Sequence, residues 1–259
     1  MNDLSFDDPC LIFALRREVG PFWRLFPPQE RFTGSPVPAR FCGPAWLSVL
    51  TVESGVGPER ARRAVEWALG QPSREGVPYR PKLVLAVGYG GALTGERRVG
   101  DLVLATEVVD EAGRVWPVSW PGELPGGAWK PPLHRGRVLT LNRLVAGPEE
   151  KAHWGEKSGA AVVDMESAEV ARVCLRHGVP FGCLRAVSDD VQTPLDPRVA
   201  ACLAGGRVAP VRLAGLVARR PALVGQLWTL ARHTRLASRQ LALALGELLT
   251  LTLPFVPEE

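Results

Sequence analysis

Acidic side chains follow two of the apolar runs in this 259-residue sequence. Glu18 stands shortly after the run 10–15, and Asp189, preceded by Ser188, stands shortly after the run 181–187. If these runs are strands of an open α/β sheet, ligands bind outside their carboxyl ends, where a carboxylate can serve as a general acid or base. The alternatives are a solvated charge cluster at Glu18 and an Asp-rich turn at Asp189.

Two more carboxylates, Asp164 and Glu166, stand where a strand or loop enters a predicted helix over 165–177. Acidic groups at a helix start often only cap its free N–H groups and complement its dipole. A carboxylate at the exit of a strand can instead accept hydrogen bonds from sugar hydroxyls. The sequence leaves both interpretations open.

A glycine-rich segment, Gly88-Tyr89-Gly90-Gly91, follows the apolar run 83–87. A strand that runs into glycines lets backbone N–H groups approach a phosphate, a ribose or a base closely. The segment is neither a Walker loop nor a dinucleotide fingerprint, so a tight turn is the alternative. The segment 53–57, Glu-Ser-Gly-Val-Gly, has the same two interpretations.

These side chains need strands and helices to position them. Most of the apolar runs are apolar on both faces, which is typical of strands covered by helices on both sides. Predicted strands cover 10–15, 46–52, 83–87, 102–109, 138–145 and 181–187, and predicted helices cover 58–69, 148–158 and 165–177. Pro58 and Pro148 suit a first helical turn, and Gly178 with Pro180 ends the third helix. The alternation predicts an α/β fold, a single domain with a twisted, mixed and mostly parallel central sheet flanked by helices.

Two segments differ from this alternation. Residues 111–132 are rich in Pro, Gly and Trp, which predicts an irregular loop or extended hairpin, either a lid or a plain insertion. Residues 201–259 are rich in Leu, Ala and Arg and predict a C-terminal helical extension packed on the catalytic domain 9–200 or on a second subunit. Arg232, Arg235 and Arg239 at helical spacing raise a second hypothesis, a weak contact with a membrane surface.

Composition narrows the function classes. The formal net charge is +4, and no Lys/Arg run is dense enough to indicate a nucleic-acid partner. The five cysteines are scattered and the four histidines lack metal-ligand spacing, so we expect neither a disulfide framework nor a metal site. The first eight residues carry no basic side chain and no stretch reaches about 18 apolar residues, so we expect a cytoplasmic protein.

In combination, these motifs resemble the nucleoside phosphorylase/nucleosidase superfamily, which includes purine nucleoside phosphorylases, methylthioadenosine/S-adenosylhomocysteine nucleosidases, futalosine hydrolase and hopanoid-associated nucleosidases. The most specific parts are Val-Asp-Met-Glu-Ser-Ala at 163–168, Gly-Val-Pro-Phe at 178–181 and Leu-Arg-Ala-Val-Ser-Asp at 184–189. The resemblance covers about residues 10–190, with the glycine segments matching in the expected order.

The resemblance implies roles for named residues. Glu166 would accept hydrogen bonds from the ribose hydroxyls, with Met165 packed against the sugar. Asp189 would protonate N7 of the purine, Ser188 would orient Asp189, and Glu18 would activate water. The remaining substrate-binding candidates are Gly88, Tyr89, Gly90 and Gly91.

Cleavage of a C–N glycosidic bond passes through an oxocarbenium-like sugar, and the departing purine needs a proton. Asp189 must therefore hold a proton near neutral pH, which a dry pocket would favour. Glu18 and the absence of an early phosphate-binding Gly/Arg motif favour water as the nucleophile. We therefore expect hydrolysis of a purine (adenine-type) nucleoside or nucleoside conjugate. We also expect a homo-oligomer and no metal or organic cofactor. Because Arg16 and Arg17 could bind an anion, a phosphorylase that uses phosphate as co-substrate is the first alternative. A non-catalytic nucleoside-binding protein is a further alternative.

Overall fold

The computed structural model describes residues 8–32, 35–43, 49–70, 72–74, 77–120, 132–193, 217–220 and 223–251. The first half of this part of the chain contains β1 (Pro9–Phe13), α1 (Arg16–Val19), α2 (Phe22–Leu25), β2 (Pro28–Arg31), β3 (Ala39–Cys42), β4 (Val49–Glu53), α3 (Pro58–Leu69), β5 (Ser73–Arg74), β6 (Val77–Pro78) and β7 (Leu83–Ala92). The second half contains β8 (Leu102–Asp110), β9 (Val115–Pro117), β10 (Leu133–Thr140), α4 (Pro148–Ser158), β11 (Val162–Asp164), α5 (Ser167–His177), β12 (Phe181–Asp189) and α6 (Leu223–Leu251).

A mixed central sheet organises the chain, in the order β11-β10-β8-β12-β7-β1-β4-β3-β2 with β9 beside β8. The central pairs β12–β7, β7–β1 and β1–β4 are parallel, whereas β12–β8 and the edge pairs β4–β3 and β3–β2 are antiparallel. Because β11 pairs with β10 and also with the end of β7, five of the strands close into a ring. The predicted α/β fold with a mixed sheet is confirmed.

The long strand β7 differs from the prediction at the glycine-rich segment. We expected a loop or turn after residue 87, but the strand continues to Ala92, with Gly88 opposite Arg185 and Gly91 opposite Asp189. A Cβ at Gly88 would lie 2.7 Å from Arg185 Nη1 and 2.8 Å from Glu18 Oε1, and one at Gly91 would lie 3.0 Å from Asp189 Oδ2. The two glycines are therefore required because the Glu18, Arg185 and Asp189 side chains pack directly on this strand.

Helices cover both faces of the sheet. On one face, α3 and α5 bury small and β-branched side chains, among them Ala61, Ala64, Val170 and Val173, in the larger core. On the other face, α6 packs against α1, α2, β7 and β12, with its apolar side (Ala237, Leu241, Ala244, Leu245 and Leu248) buried beside Phe13 and Phe22. The described part of the predicted C-terminal extension thus lies on the body of the domain, while the boundary predicted at residue 200 falls outside the described residues.

The bounds of the helices agree closely with those predicted from the sequence. Helices α3 and α4 have the predicted bounds, and α5 ends before Gly178, whose φ of 65° is a left-handed conformation that favours glycine. Helix α5 begins at Ser167 rather than at residue 165, because the Asp164 carboxylate accepts the N–H groups of Glu166 and Ser167.

Strand bounds were predicted less well. The predicted strand 138–145 is shifted, since β10 is Leu133–Thr140, and Leu141 and Val145 instead pack beside Trp154 under α4. Of the predicted strand 46–52, residues 46–48 lie outside the described part and residues 49–52 lie in β4. The short edge strands β2, β3 and β9 were missed.

The Trp-rich segment is partly a hairpin. Its described part, 111–120, includes β9, which pairs antiparallel with β8, and Trp120 Nε1 donates a hydrogen bond to the carbonyl of Ala105 at 2.9 Å. Residues 121–131, including Trp129, lie outside the described residues. Among the described helices, none combines the length and apolar character needed to cross a membrane.

Candidate active site

A cavity of about 420 Å³ opens at the carboxyl ends of β1, β7, β11 and β12. Eight of the nine predicted site residues line it, namely Glu18, Tyr89, Gly90, Gly91, Met165, Glu166, Ser188 and Asp189. Gly88 does not line the cavity, because the Glu18 and Arg185 side chains lie directly against it. The strand order therefore brings together carboxylates that are far apart in the sequence.

Glu18 is a buried carboxylate with fixed oxygens. Its side chain lies on α1 and is 3% exposed, and Oε1 accepts the N–H of Tyr89 at 2.9 Å while Oε2 accepts the N–H of Leu15 at 2.8 Å. Burial raises the pKa of Glu18, and these hydrogen bonds oppose the rise. The Tyr89 N–H that could have bound a phosphate thus donates to Glu18.

The Asp164 carboxylate holds neighbouring side chains of the site in place. Its Oδ2 forms a buried ion pair with Arg185 Nη2 at 2.6 Å and accepts the Ser167 hydroxyl, and its Oδ1 accepts the Thr140 hydroxyl at 2.7 Å. Arg185 Nη2 also donates to Ser167 Oγ at 2.7 Å. A buried pair needs such additional hydrogen bonds to offset its desolvation. Of the two acidic residues at this helix start, Asp164 is the one whose side chain accepts N–H groups there, those of Glu166 and Ser167.

Glu166 has a different environment. Its side chain lies in the cavity wall, and Oε1 accepts the N–H of Gly57 at 2.7 Å. Gly57 has a φ of 103°, a conformation that favours glycine, so the ambiguous segment 53–57 serves to orient Glu166. Burial and the nearby Asp164 carboxylate raise the pKa of Glu166 to about 7, against the opposing effect of Arg185.

Asp189 ends β12 with both oxygens bonded. Ser188 Oγ donates to Oδ1 at 2.7 Å, which matches the orienting role implied for Ser188. Lys151 Nζ donates to Oδ2 at 2.5 Å and to the carbonyl of Asp190 at 2.6 Å. The expected dry pocket is wrong for this carboxylate, because its side chain is 30% exposed and ion-paired with the ammonium of Lys151, which is 1% exposed.

Lys151 was missed in the sequence, although a signal exists. Lys151, Trp154 and Gly155 form the buried face of α4 at spacings of three and four residues, so a lysine occupies an otherwise apolar stripe. Gly155 lets the helix approach Leu93, the residue that follows β7, since a Cβ at position 155 would lie 2.5 Å from the carbonyl oxygen of Leu93. This approach places the ammonium beneath Asp189.

Helix α6 supplies a wall that the sequence did not predict. Gln226, Thr229, Leu230, His233 and Thr234 line the cavity. The Tyr89 hydroxyl contacts Ser238 Oγ at 2.5 Å, and Ser238 Oγ donates to the carbonyl of Arg17 at 2.8 Å, so these bonds hold α6 against the site. The bulky Tyr89 is accommodated because its hydroxyl end reaches α6.

Comparison with known proteins agrees with this geometry. A family model described as the phosphorylase superfamily matches residues 46–204, which include most of the strands and three of the carboxylates described above. The chain belongs to the phosphorylase superfamily.

Relatives in the phosphorylase superfamily carry nucleosidase names. A 5′-methylthioadenosine/S-adenosylhomocysteine nucleosidase from Exiguobacterium sp. is 25% identical over 168 residues, covering 55% of this chain and 68% of the relative. One from Bacillus cereus is 26% identical over 166 residues, covering 54% of this chain and 68% of the relative.

Solved structures show the same fold. The 5′-methylthioadenosine nucleosidase of Arabidopsis thaliana has a TM-score of 0.68 at 16% identity and covers 96% of both chains. The futalosine hydrolase of Helicobacter pylori has a TM-score of 0.64 at 18% identity, covering 95% of this chain and 98% of the other. The fold shared with these two structures therefore extends over almost the whole chain.

Proposed function

We propose that this protein is an N-ribosyl hydrolase that cleaves the glycosidic bond of a purine (adenine-type) nucleoside or nucleoside conjugate. The observation that carries the proposal is the convergence of Glu18, Glu166 and Asp189 on one cavity of nucleoside size. The nucleosidase names of the sequence relatives support the same reaction.

The charge around the cavity suits a cationic transition state. Glu18, Asp164 and Glu166 surround the guanidinium of Arg185, which influences all three carboxylates electrostatically. With one cation among three carboxylates, the net field is negative, and such a field stabilises an oxocarbenium-like sugar. Glu166 also offers a carboxylate oxygen to the ribose hydroxyls.

Two proton transfers complete the proposed reaction. As the C1′–N9 bond breaks, its electron pair moves to the purine, and a proton passes from the Lys151 ammonium through the Asp189 carboxylate, 2.5 Å away, to N7. Glu18 takes a proton from water, whose oxygen bonds to C1′, so the products are free sugar and neutral base. Proton exchange with solvent then returns Glu18 to its ionised form and Lys151 to its charged form. The raised pKa of Glu18 makes it a stronger base for this step.

The partners of three polar groups near Glu18 favour water over phosphate as the nucleophile, whereas Arg17, which also lines the cavity, keeps the phosphorylase alternative open. Arg185 is engaged by Asp164 and Ser167, and Arg16 lies 3.6 Å from the carboxylate of Glu53. The N–H of Tyr89 donates to Glu18. These contacts occupy three of the groups that could otherwise hold a phosphate beside the sugar.

The remaining expectations also stay proposals. The reaction as proposed uses no metal or organic cofactor, so activity should survive treatment with a chelator. The homo-oligomeric state, the cytoplasmic location and a hopanoid-associated role stay predictions. For the membrane hypothesis, the exposed side of α6 carries its arginines together with the exposed apolar side chains Trp228, Leu236 and Leu243.

The proposal is tested by incubating the purified protein with adenosine, inosine, 5′-methylthioadenosine and S-adenosylhomocysteine and following free base by chromatography. Base release that is lost in Asp189→Asn supports an enzyme acting through this site. Nucleoside that binds but stays intact overnight would instead support the binding-protein alternative.

A further inference from the structure

Tyr89 contacts two parts of the site at once. It lies on β7 between Gly88 and Gly90, and its N–H donates to Oε1 of Glu18 at 2.9 Å. At the other end of the same residue, the hydroxyl oxygen lies 2.5 Å from Oγ of Ser238 on α6. A single residue thus connects the proposed catalytic base with the C-terminal helix.

The direction of these hydrogen bonds follows from the hydrogens that are available. Ser238 Oγ lies 2.8 Å from the carbonyl oxygen of Arg17 and 2.8 Å from that of Thr234. Both carbonyls only accept, so the one hydrogen of the Ser238 hydroxyl points towards them. The Tyr89 hydroxyl must therefore donate to Ser238 Oγ. Because Ser238 is 3% exposed, loss of either hydroxyl would leave a buried polar group without its partner.

The Arg17 carbonyl belongs to the helix that carries Glu18. This helix, α1, has only four residues, and a helix so short is not stable by itself, so its position depends on its neighbours. Ser238 supplies one such contact. Helix α6 is in turn fixed to the domain by buried apolar side chains that include Ala237 and Leu241. The hydrogen bond from Ser238 therefore holds the backbone next to Glu18.

Glu18 is consequently held from two directions through one residue. The Tyr89 N–H fixes its carboxylate, and the Tyr89 hydroxyl, through Ser238, fixes the backbone one position before it. Ser238 is not among the described residues that line the nucleoside cavity, so its hydroxyl acts on the site through these neighbours. Tyr89 does line the cavity, but its hydroxyl is bonded to α6.

We propose that Tyr89 and Ser238 are positioning residues that hold the Glu18 carboxylate where it can take a proton from water. This inference rests on the proposed function, in which Glu18 is the general base. A general base acts only within hydrogen-bond reach of the proton that it removes. A displacement of about 1 Å can lower a rate about 10²-fold, so loss of the bonds that fix the base should be measurable in kcat.

The kinetic test removes the two hydroxyls separately, in Tyr89→Phe and in Ser238→Ala. For a nucleoside that the protein cleaves, we expect each variant to lower kcat by about tenfold or more and to change KM by less than about twofold, because the base moves while the substrate contacts stay. The double variant should lose little more than either single variant, since both remove the same hydrogen bond. Rates are compared at equal concentrations of folded protein, judged by circular dichroism.

Tyr79→Phe is the matched control. The chain has two tyrosines, and the Tyr79 hydroxyl is likewise buried and donates to a backbone carbonyl, that of Asp8, at 2.7 Å. Tyr79 is not among the described residues that line the cavity. Tyr79→Phe should therefore keep the kcat of the unaltered protein.

A second measurement does not depend on cleavage. In protein labelled with ¹⁵N-tyrosine, the two amide signals report Tyr79, whose N–H donates to the carbonyl of Pro72, and Tyr89, whose N–H donates to Glu18. Ser238→Ala should speed hydrogen exchange at Tyr89 by about two- to tenfold, the contribution of one ordinary hydrogen bond, and leave Tyr79 unchanged. If no nucleoside is cleaved, this measurement still shows whether Ser238 holds the contact with Glu18, so failure of the proposed function is seen separately.

Three results would overturn the proposal. An unchanged kcat in both variants would show that the hydroxyls do not position the base. A raised KM with an unchanged kcat would make the Tyr89 hydroxyl a substrate contact instead. Unchanged exchange at Tyr89, or an equal acceleration at both tyrosines, would show that Ser238 does not fix the contact between Tyr89 and Glu18.

Discussion

The ammonium of Lys151 lies 2.5 Å from Oδ2 of Asp189, joining the buried face of α4 to the end of β12. The other carboxylate oxygen of Asp189 accepts the Ser188 hydroxyl. This pair holds a transferable proton beside the position proposed for the purine. In the proposed reaction, departure of the base depends on two residues, of which Asp189 faces the cavity and Lys151 lies behind it.

Replacing Lys151 with Met keeps a similar length and removes the proton source. We expect kcat for a purine nucleoside to fall by about 10²-fold or more, with a small change in KM, because general acid catalysis contributes about 10²–10⁴. Steady-state kinetics on protein with an unchanged circular dichroism spectrum measures this. Lys157→Met on the same helix is the control, since the Lys157 side chain lies over the Trp154 ring and outside the cavity. An unchanged kcat for Lys151→Met would contradict the role.

Asp189→Asn should remove purine nucleoside cleavage while sparing a substrate whose leaving group needs no proton. We expect a loss of about 10²–10⁴ in kcat for adenosine, and little loss for 4-nitrophenyl riboside, whose phenolate departs unaided. Asp190→Asn is the matched control, because its carboxylate accepts the Thr193 N–H and hydroxyl in a turn. Equal losses on both substrates would show that Asp189 serves structure rather than proton transfer.

Much of this site was predictable because its motifs are local. Glu166, Ser188 and Asp189 each lie at the end of a strand, and short patterns of residues identify such positions. Lys151 was missed because its partner is 38 positions away and only the packing of α4 beside Leu93, just after β7, brings the two together. Contacts of this kind depend on the tertiary fold, and a single sequence carries little trace of them.

The glycine-rich segment 88–91 shows a second limit of prediction from the sequence. The sequence indicated correctly that side chains are excluded at Gly88, Gly90 and Gly91, yet a turn, a phosphate cradle and close packing all require small residues. Only the register of β7 against β12 shows that Arg185 and Asp189 are the groups that need the space. The position of α6 in the cavity wall could not be predicted either, because a helical pattern in the sequence does not show where the helix packs.

The pH dependence of kcat/KM should report the ionisation of the Glu166 carboxyl group. Its pKa is raised to about 7, and the ribose hydroxyls need its ionised form as acceptor, so kcat/KM should rise with pH through about 7. Glu166→Gln should lower kcat/KM and remove that rise, because an amide does not titrate. A rise of the same size and midpoint in Glu166→Gln would assign it to another group.

Gly88→Ala should lower both the stability and the activity of the protein. The added Cβ would meet Arg185 Nη1 at 2.7 Å and Glu18 Oε1 at 2.8 Å, and both side chains are buried and hydrogen-bonded. We expect a loss of about 1–3 kcal/mol in the free energy of unfolding, typical of overpacking, measured by urea denaturation. Gly95→Ala, where a Cβ would meet nothing within 4 Å, is the matched control. A fully stable and active Gly88→Ala protein would contradict the packing described.

Hydrolysis is the central claim, and the fate of the sugar tests it most directly. The protein would be incubated with its cleaved nucleoside in ¹⁸O-labelled water, with and without inorganic phosphate, and the sugar product analysed by mass spectrometry. The account predicts the same rate in both arms, ¹⁸O in the free sugar, and loss of the reaction in Glu18→Gln. Base release only with phosphate, giving an unlabelled sugar 1-phosphate, would contradict it and make the protein a phosphorylase.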